Sequence, residues 1–164
     1  MVASPRSARA LRRLLAIGRD GRPAAGGFDL AAVPDSVLPA TAALYAERGW
    51  QPPFVGYLAL EGGLAVGTCA FCAPPRGRRV EIAYFTFPGH ERRGLATWMA
   101  ASLLAIAREA DPALTVIAQT LPGALASATV LARQGFALAR TVRHPEDGIV
   151  WEWHRPPPAG AGRG

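Results

Sequence analysis

Residues 80–97 read VEIAYFTFPGHERRGLAT. The first eight residues are apolar or alternate in polarity, which is typical of a β-strand. From Leu95 to Ala110 the sequence is rich in Ala and Leu and lacks Gly and Pro, which predicts a long, largely buried helix. The mostly polar residues 88–94 therefore join the end of a strand directly to the start of a helix.

This strand–turn–helix connection predicts an anion-binding site. The first N–H groups of a helix have no partner within the helix, and the helix dipole favours negative charge there. Gly94 and Ala96 are small enough to let a phosphate approach the backbone, while Arg92 and Arg93 supply positive charge. The P-loop and dinucleotide fingerprints are absent from the sequence. The residues alone leave two interpretations open, a pyrophosphate site and an ordinary connection with solvated arginines.

The segments on either side of residues 80–97 complete an α/β pattern. Helices are predicted over residues 36–48, 95–110 and 124–134, and strands over 55–60, 64–73, 79–87, 114–120, 136–142 and 149–153. This order predicts a mixed, mostly antiparallel central sheet of about six to seven strands, flanked by helices on both faces. Ligands in such sheets usually bind where the ends of neighbouring strands diverge.

Charge is concentrated at the two ends of the chain. Residues 1–27 hold six Arg and one Asp, whereas residues 28–154 hold ten Arg and eleven acidic residues. We therefore expect a basic leader over 1–27, flexible or a frayed helix, a folded domain over 28–154 and a mobile Pro/Gly-rich tail over 155–164. A nearly neutral domain disfavours nucleic-acid binding, which only the leader keeps open as an alternative.

The only two cysteines, Cys69 and Cys72, lie three residues apart in a predicted strand and so face opposite sides of the sheet. We interpret them as free thiols, and we expect neither a metal site nor a disulfide. The longest uncharged run in the predicted helices, Leu95 to Ala107, is too short to span a bilayer. All eighteen basic residues are Arg, and Ala, Gly and Pro are abundant, so we expect a bacterial, cytoplasmic protein that does not enter membranes.

Three motifs in the right order resemble the GNAT superfamily of N-acetyltransferases. Residues 91–96, ERRGLA, are similar to its acetyl-CoA pyrophosphate loop, (Q/R)xxGx(G/A), with Glu91 departing at the first position. Residues 81–84 before the loop and 127–136 after it resemble the branch that contains the ribosomal-protein N-acetyltransferases. That branch commonly reads NxxSxxVLEKxGF in the later helix, where this chain has Ala124 in place of the Asn. The resemblance covers residues 55–153.

The resemblance implies that acetyl-CoA is the cofactor, with CoA as the product and no metal. Backbone groups near Phe85 and Phe87 would pair with the pantetheine arm, and the N–H group near Thr86 would polarise the thioester carbonyl. The thioester itself would lie between the strand of Phe85 and the strand of Val116. The implied cofactor-binding residues are Phe85, Thr86, Phe87, Arg92, Arg93, Gly94, Leu95, Ala96 and Thr97.

The resemblance also implies direct attack of a primary amine on the thioester, and that amine must be neutral to react. Glu81 stands where some family members place a general base, although it could instead pair with Arg78 or Arg79. Leu131 occupies the position of a Tyr that protonates the leaving thiolate in many relatives, so no acid is assigned. We expect a small-molecule or peptide amine as acceptor and a monomer or homodimer. The departures at Ala124 and Leu131 leave a second function open, a non-catalytic acyl-CoA-binding or sensing module.

Overall fold

The computed structural model of the chain describes residues 10–161, and these residues form a single sheet with three helices. The strands are β1 (Arg12–Ala16), β2 (Gly56–Glu61), β3 (Leu64–Phe71), β4 (Arg79–Thr86), β5 (Thr115–Thr120), β6 (Ala137–His144) and β7 (Gly148–Arg155). The helices are α1 (Val37–Arg48), α2 (Leu95–Ala110) and α3 (Leu125–Arg133), and a short 3-10 helix spans Leu30–Ala32. Among the described residues, no helix is long and apolar enough to cross a membrane.

The sheet has the strand order β1-β2-β3-β4-β5-β7-β6, in which only β4 and β5 pair in parallel. Helix α1 lies against the face of Gly56, where an added Cβ atom would be 2.9 Å from Thr41. Helix α2 lies against the face of Gly67, where a Cβ would be 3.1 Å from Met99. Gly67 is three residues from Ala70, the partner of Gly56, so the two helices cover opposite faces. The predicted mixed sheet with helices on both faces is confirmed.

One stripe of helix α2 anchors it to the sheet. Leu95, Met99, Leu103 and Ala107 recur at helical spacing, and all four are buried. Burial of a large apolar side chain contributes about 1.5–3 kcal/mol, so these contacts stabilise the helix and the position of its first turn. The start of α2 is thereby held close to the carboxyl end of β4.

The parallel pair β4–β5 separates before either strand ends. Its residue pairs run from Arg79 and Thr115 to Ile82 and Ala118, yet β4 continues to Thr86 and β5 to Thr120. Beyond Ile82 the two strands therefore diverge. The backbone groups of β4 and β5 that face each other there are not paired with one another. This divergence lies at the strand ends where mixed sheets usually bind ligands.

Strand β1 corrects the expectation of a flexible leader or frayed helix over residues 1–27. Residues 12–16 pair antiparallel with β2 along their whole length, and Leu15 and Ile17 are buried. The Tyr45 hydroxyl donates to the Ile17 carbonyl at 2.9 Å and accepts the Gly56 N–H at 2.7 Å, which ties this segment to α1 and β2. The expectation is wrong for these residues because pairing with β2, which is distant in the sequence, orders an Arg-rich segment that has no local strand pattern of its own. Residues 1–9 of the predicted leader lie outside the described residues.

Candidate functional site

The loop between β4 and α2 has an unusual backbone. Arg92 has φ 63° and Gly94 has φ 73°, so both are left-handed. A non-glycine residue at positive φ is uncommon and is often found at functional sites. The Trp98 N–H donates to the Gly94 carbonyl at 3.0 Å, which leaves the preceding amides of the helix without partners inside it. The predicted helix N-terminus with unpaired amides is thus present at Leu95.

The side chains of this loop differ in where they are directed. No atom lies within 4 Å of a Cβ built on Gly94, so the space beside this residue is open. Glu91 turns into its own loop, where its carboxylate accepts the Gly89 N–H at 2.8 Å. Arg93 forms an ion pair with Glu61 of β2 and contacts His90 Nδ1 at 3.1 Å. The backbone of the loop is therefore open at Gly94 and Arg92 is exposed, whereas the Arg93 guanidinium is already paired.

The backbone of β4 corrects the predicted pantetheine contacts. The Phe87 N–H donates to the Val66 carbonyl at 2.9 Å, and the Phe87 carbonyl accepts the His90 N–H at 3.1 Å, so both groups are already used. The Glu81 carbonyl is likewise bonded towards β3, by the Cys72 N–H at 2.8 Å. Backbone direction alternates along a strand, so the groups of Tyr84 and Thr86 point to the divergence from β5. The backbone groups of Phe85 and Phe87 therefore do not face the divergence, whereas the Thr86 N–H, which was predicted to polarise the thioester carbonyl, does.

Glu81 lies half-buried on the face of β4 that α1 covers. Burial raises the pKa of its carboxyl group, while the nearby Arg48 guanidinium and a hydrogen bond from Cys72 lower it. The Glu152 carboxylate raises this pKa further, and His144 lowers it. The net effect is a pKa above the usual value for a glutamate. A carboxylate whose pKa is raised is a stronger proton acceptor than that of an exposed glutamate.

The alternative role of Glu81, an ion pair with Arg78 or Arg79, is not observed. Within residues 10–161 neither arginine forms a salt bridge, and the guanidinium that acts on Glu81 belongs to Arg48 of α1. Arg78 has φ 59° in the turn before β4 and is exposed.

A second carboxylate, Glu152 of β7, lies on the same face of the sheet as Glu81. Glu81 pairs in register with Ile117, which pairs with His154, and Glu152 is two residues from His154. Burial of Glu152 raises its pKa, but hydrogen bonds from His154 at 2.6 Å and Arg140 at 2.9 Å outweigh burial and hold the pKa below the usual range. The sequence did not predict this cluster, although Glu152 in the predicted strand 149–153 and His154 directly after that strand stand two residues apart, as side chains on one strand face do.

Two clefts open on this face, one at each end of α1. The first, of about 440 Å³, has no charged residue in its lining and is bordered by Leu44 of α1 and by Ala83 and Phe85 of β4. The second, of about 510 Å³, contains Glu81 together with Arg48 and other charged residues. The side chain of Phe85 is 54% exposed. An apolar wall and a carboxylate therefore lie side by side along β4, next to the divergence from β5.

The remaining candidate residues are structural. Leu131 is fully buried in the core, so this position of α3 offers no proton donor. Cys69 and Cys72 are free, as predicted, and burial raises the pKa of each thiol to about 12. Thiols with this pKa are poor nucleophiles at neutral pH. In the part of the chain that the structure describes, no cluster of His, Cys, Asp or Glu is suited to a metal ion.

Three solved structures illustrate the similarity in fold. A ribosomal L7/L12 alpha-N-protein acetyltransferase in complex with coenzyme A has 16% identity and a TM-score of 0.60, with 73% of this chain and 69% of that chain covered. A ribosomal-protein-S5-alanine acetyltransferase from Vibrio fischeri has 13% identity, a TM-score of 0.58 and coverage of 64% and 62%. A protein from Salmonella typhimurium assigned as an acetyltransferase, with its cofactor acetyl-CoA, has 18% identity, a TM-score of 0.58 and 73% coverage of both chains. At these identities the similarity shows the fold alone.

Similarity in sequence identifies the family. No curated protein matches the chain. The sequence-family model described as acetyltransferase (GNAT) domain matches residues 28–137. This stretch contains α1, β4, the loop between β4 and α2, and α2 itself. Because this match covers most of the chain and includes the loop described above, the chain belongs to the GNAT acetyltransferases, which are acyltransferase enzymes.

Proposed function

We propose that this protein transfers the acetyl group of acetyl-CoA to a primary amine at the carboxyl end of β4. One observation carries the proposal: the β4–β5 ladder stops at Ile82 and Ala118, and the resulting gap opens beside the unpaired amides at the start of α2. A gap with free strand edges suits an extended, amide-bearing ligand. A helix start with open backbone amides suits its phosphates.

The residues of this region fit the cofactor part by part. The amides of residues 94–97, beside the open space at Gly94, would hold the diphosphate. The backbone groups of Tyr84 and Thr86 would pair with the amide-bearing arm, because they face the gap. When bound, acetyl-CoA supplies an activated acetyl group. The Thr86 N–H would donate to the thioester carbonyl oxygen, which becomes negative during the reaction.

Glu81 would serve as the general base. An ammonium group has no free electron pair, so the acceptor must lose a proton before or as it attacks. The half-buried carboxylate of Glu81 would take that proton, directly or through a water molecule. Because the pKa of Glu81 is raised, it differs less from the pKa of the amine than the pKa of an exposed glutamate does. Since Leu131 is buried, no side chain of α3 is assigned to the leaving thiolate. A thiolate leaves readily, and positioning alone can supply about 7–11 kcal/mol.

The acceptor would approach from the face covered by α1, because both clefts and Glu81 lie there. We infer a small-molecule or peptide amine. The Arg-only basic composition and the free thiols support the further inference of a bacterial, cytoplasmic enzyme.

A panel of acceptors tests the function. Free amino acids, polyamines, aminoglycosides and short peptides with different N-termini are each incubated with acetyl-CoA and the protein. We expect release of the CoA thiol with at least one acceptor, above the rate without acceptor, and an acetylated product in the mass spectrum. If acetyl-CoA binds but no amine in the panel is acetylated, the chain is a non-catalytic acyl-CoA-binding module instead.

A further inference from the structure

We propose that Arg12 and Glu61 are positioning residues that hold the loop between β4 and α2 in the conformation that binds the cofactor. The inference rests on the proposed function, because it assumes that this loop binds the diphosphate of acetyl-CoA. It goes beyond that function in assigning a role in cofactor binding to β1, which lies outside the residues matched by the family model.

Glu61, the last residue of β2, lies at the centre of the contacts. Its side chain is only 8% exposed, yet it is charged and therefore needs partners to offset its loss of hydration. Arg12 Nε donates to one carboxylate oxygen at 2.6 Å, and the Arg93 guanidinium donates to the other. One buried carboxylate thus joins strand β1 to the loop.

Arg12 makes a second contact, with the backbone of the loop. Its Nη2 atom donates to the Arg93 carbonyl at 3.0 Å while its Nε atom holds Glu61. The guanidinium carbon also lies 5.9 Å from the centre of the Trp98 ring on α2. The planar fork of an arginine can make these contacts together, which a lysine with a single nitrogen cannot. Arg12 therefore links β1, β2, the loop and α2.

The contact with the Arg93 carbonyl controls the direction of an amide. This carbonyl belongs to the same planar peptide unit as the Gly94 N–H, and in a trans peptide the two groups point in opposite directions. Arg12 draws the carbonyl towards β1, so the Gly94 N–H is directed away from β1. Both flanking residues, Arg92 and Gly94, have left-handed backbone conformations, and that of Arg92 costs free energy that neighbouring contacts must offset. The contacts of Arg12 and Glu61 would supply this offset before the cofactor arrives.

Conservative substitutions test the proposal. Arg12→Lys keeps a positive charge beside Glu61 but removes the fork, and Glu61→Gln keeps the shape but removes the charge that holds both arginines. We expect each variant to raise the Kd for CoA about tenfold in isothermal titration, since losing a hydrogen bond of about 1–1.5 kcal/mol corresponds to roughly that factor. Holding the loop affects the ground state and the transition state alike, so the KM for acetyl-CoA should rise while kcat stays unchanged.

Arg13→Lys is the matched control, because Arg13 is exposed, adjacent in β1 and directed to the other side of the strand. Its Kd should equal that of the wild type. The KM for the acceptor should not change in any of the three variants, whereas a general loss of structure would raise it too. Unchanged CoA affinity in both Arg12→Lys and Glu61→Gln would overturn the inference.

Dephospho-CoA, which lacks the 3′-phosphate, separates positioning from direct contact. The loop would hold the diphosphate that both ligands share, so Arg12→Lys should weaken both by the same factor. If the loss disappears with dephospho-CoA, Arg12 binds the 3′-phosphate itself and the positioning role is wrong. If the wild type binds neither ligand, the proposed function fails rather than this inference.

Discussion

At the scale of single residues, the surroundings of Glu81 shift the pKa of its carboxyl group in opposing directions. Burial in the cleft beside α1 raises its pKa, and the Glu152 carboxylate on the same face raises it further. Arg48 and His144 favour the ionised form and so oppose this rise. Its place on β4 could be predicted from the sequence because the motif resembles that of relatives. Its partners could not, because Arg48, His144 and Glu152 come from distant segments that only folding brings together.

Glu81→Gln should lower kcat at neutral pH by roughly 10²–10⁴-fold, because the amide keeps the shape of the side chain but cannot accept a proton. Acetyl-CoA affinity should remain almost unchanged. The loss should shrink as the pH approaches the pKa of the acceptor amine, where the free amine needs no base. A pH–rate profile of both proteins, measured on an acceptor identified by the panel, provides the comparison.

Unfolding measurements on the same variant distinguish a base from a structural residue. Because the folded-state pKa of Glu81 is raised, the folded protein binds this proton more tightly than the unfolded chain, and stability falls as pH rises through that pKa. The Gln side chain carries no such penalty, so the variant should be at least as stable as the wild type at neutral pH. Equal activity at neutral pH, or a lower thermal midpoint with activity and cofactor binding lost together, would remove Glu81 from the mechanism.

At the scale of elements, the connection from β4 to α2 shows what a local pattern can predict. The start of α2 at Leu95 follows from the Ala- and Leu-rich run that begins directly after Gly94, and the structure confirms it. Which strand amides face the gap does not follow from the sequence. That choice depends on the pairing of β4 with β3, seen in the bond from the Phe87 N–H to Val66. A motif therefore locates a site along the chain before it identifies the groups that point into it.

Strand β1 gives an element-scale prediction. Ile17, directly after β1, is 1% exposed and packs beneath α1 and β2, so Ile17→Ala should lower the free energy of unfolding by about 2–5 kcal/mol. Thermal unfolding should show a clear fall in the midpoint. Leu11→Ala is the control, since Leu11 is 77% exposed and should change little. Identical midpoints for Ile17→Ala and the wild type would mean that this segment is the flexible or frayed leader that the sequence predicted.

At the scale of the whole molecule, local signals and long-range contacts differ in how far they could be predicted. All three helices end within one residue of their predicted bounds, and β2 to β7 within two, because periodicity and Gly or Pro breaks are local. Strand β1 is defined by its partner, since Arg12 pairs with Glu61, 49 residues away. The contact from Arg12 to the Arg93 carbonyl spans 81 residues. Such contacts depend on the strand order of the sheet, which no local pattern contains.

The thermal midpoint of unfolding, followed as acetyl-CoA is added, tests whether the gap beside β4 and the start of α2 form the cofactor site. A ligand that binds only the folded state stabilises it by RT ln(1 + [L]/Kd), so the midpoint should rise with concentration, and nearly as much with CoA. Gly94→Glu should abolish the rise, because its carboxylate would occupy the open space meant for the diphosphate. Gly148→Glu is the matched control, with φ 72° against 73° at Gly94 and equally open surroundings, and it should keep the rise. No shift in the wild type at millimolar acetyl-CoA, or an unchanged shift in folded Gly94→Glu, would contradict this site.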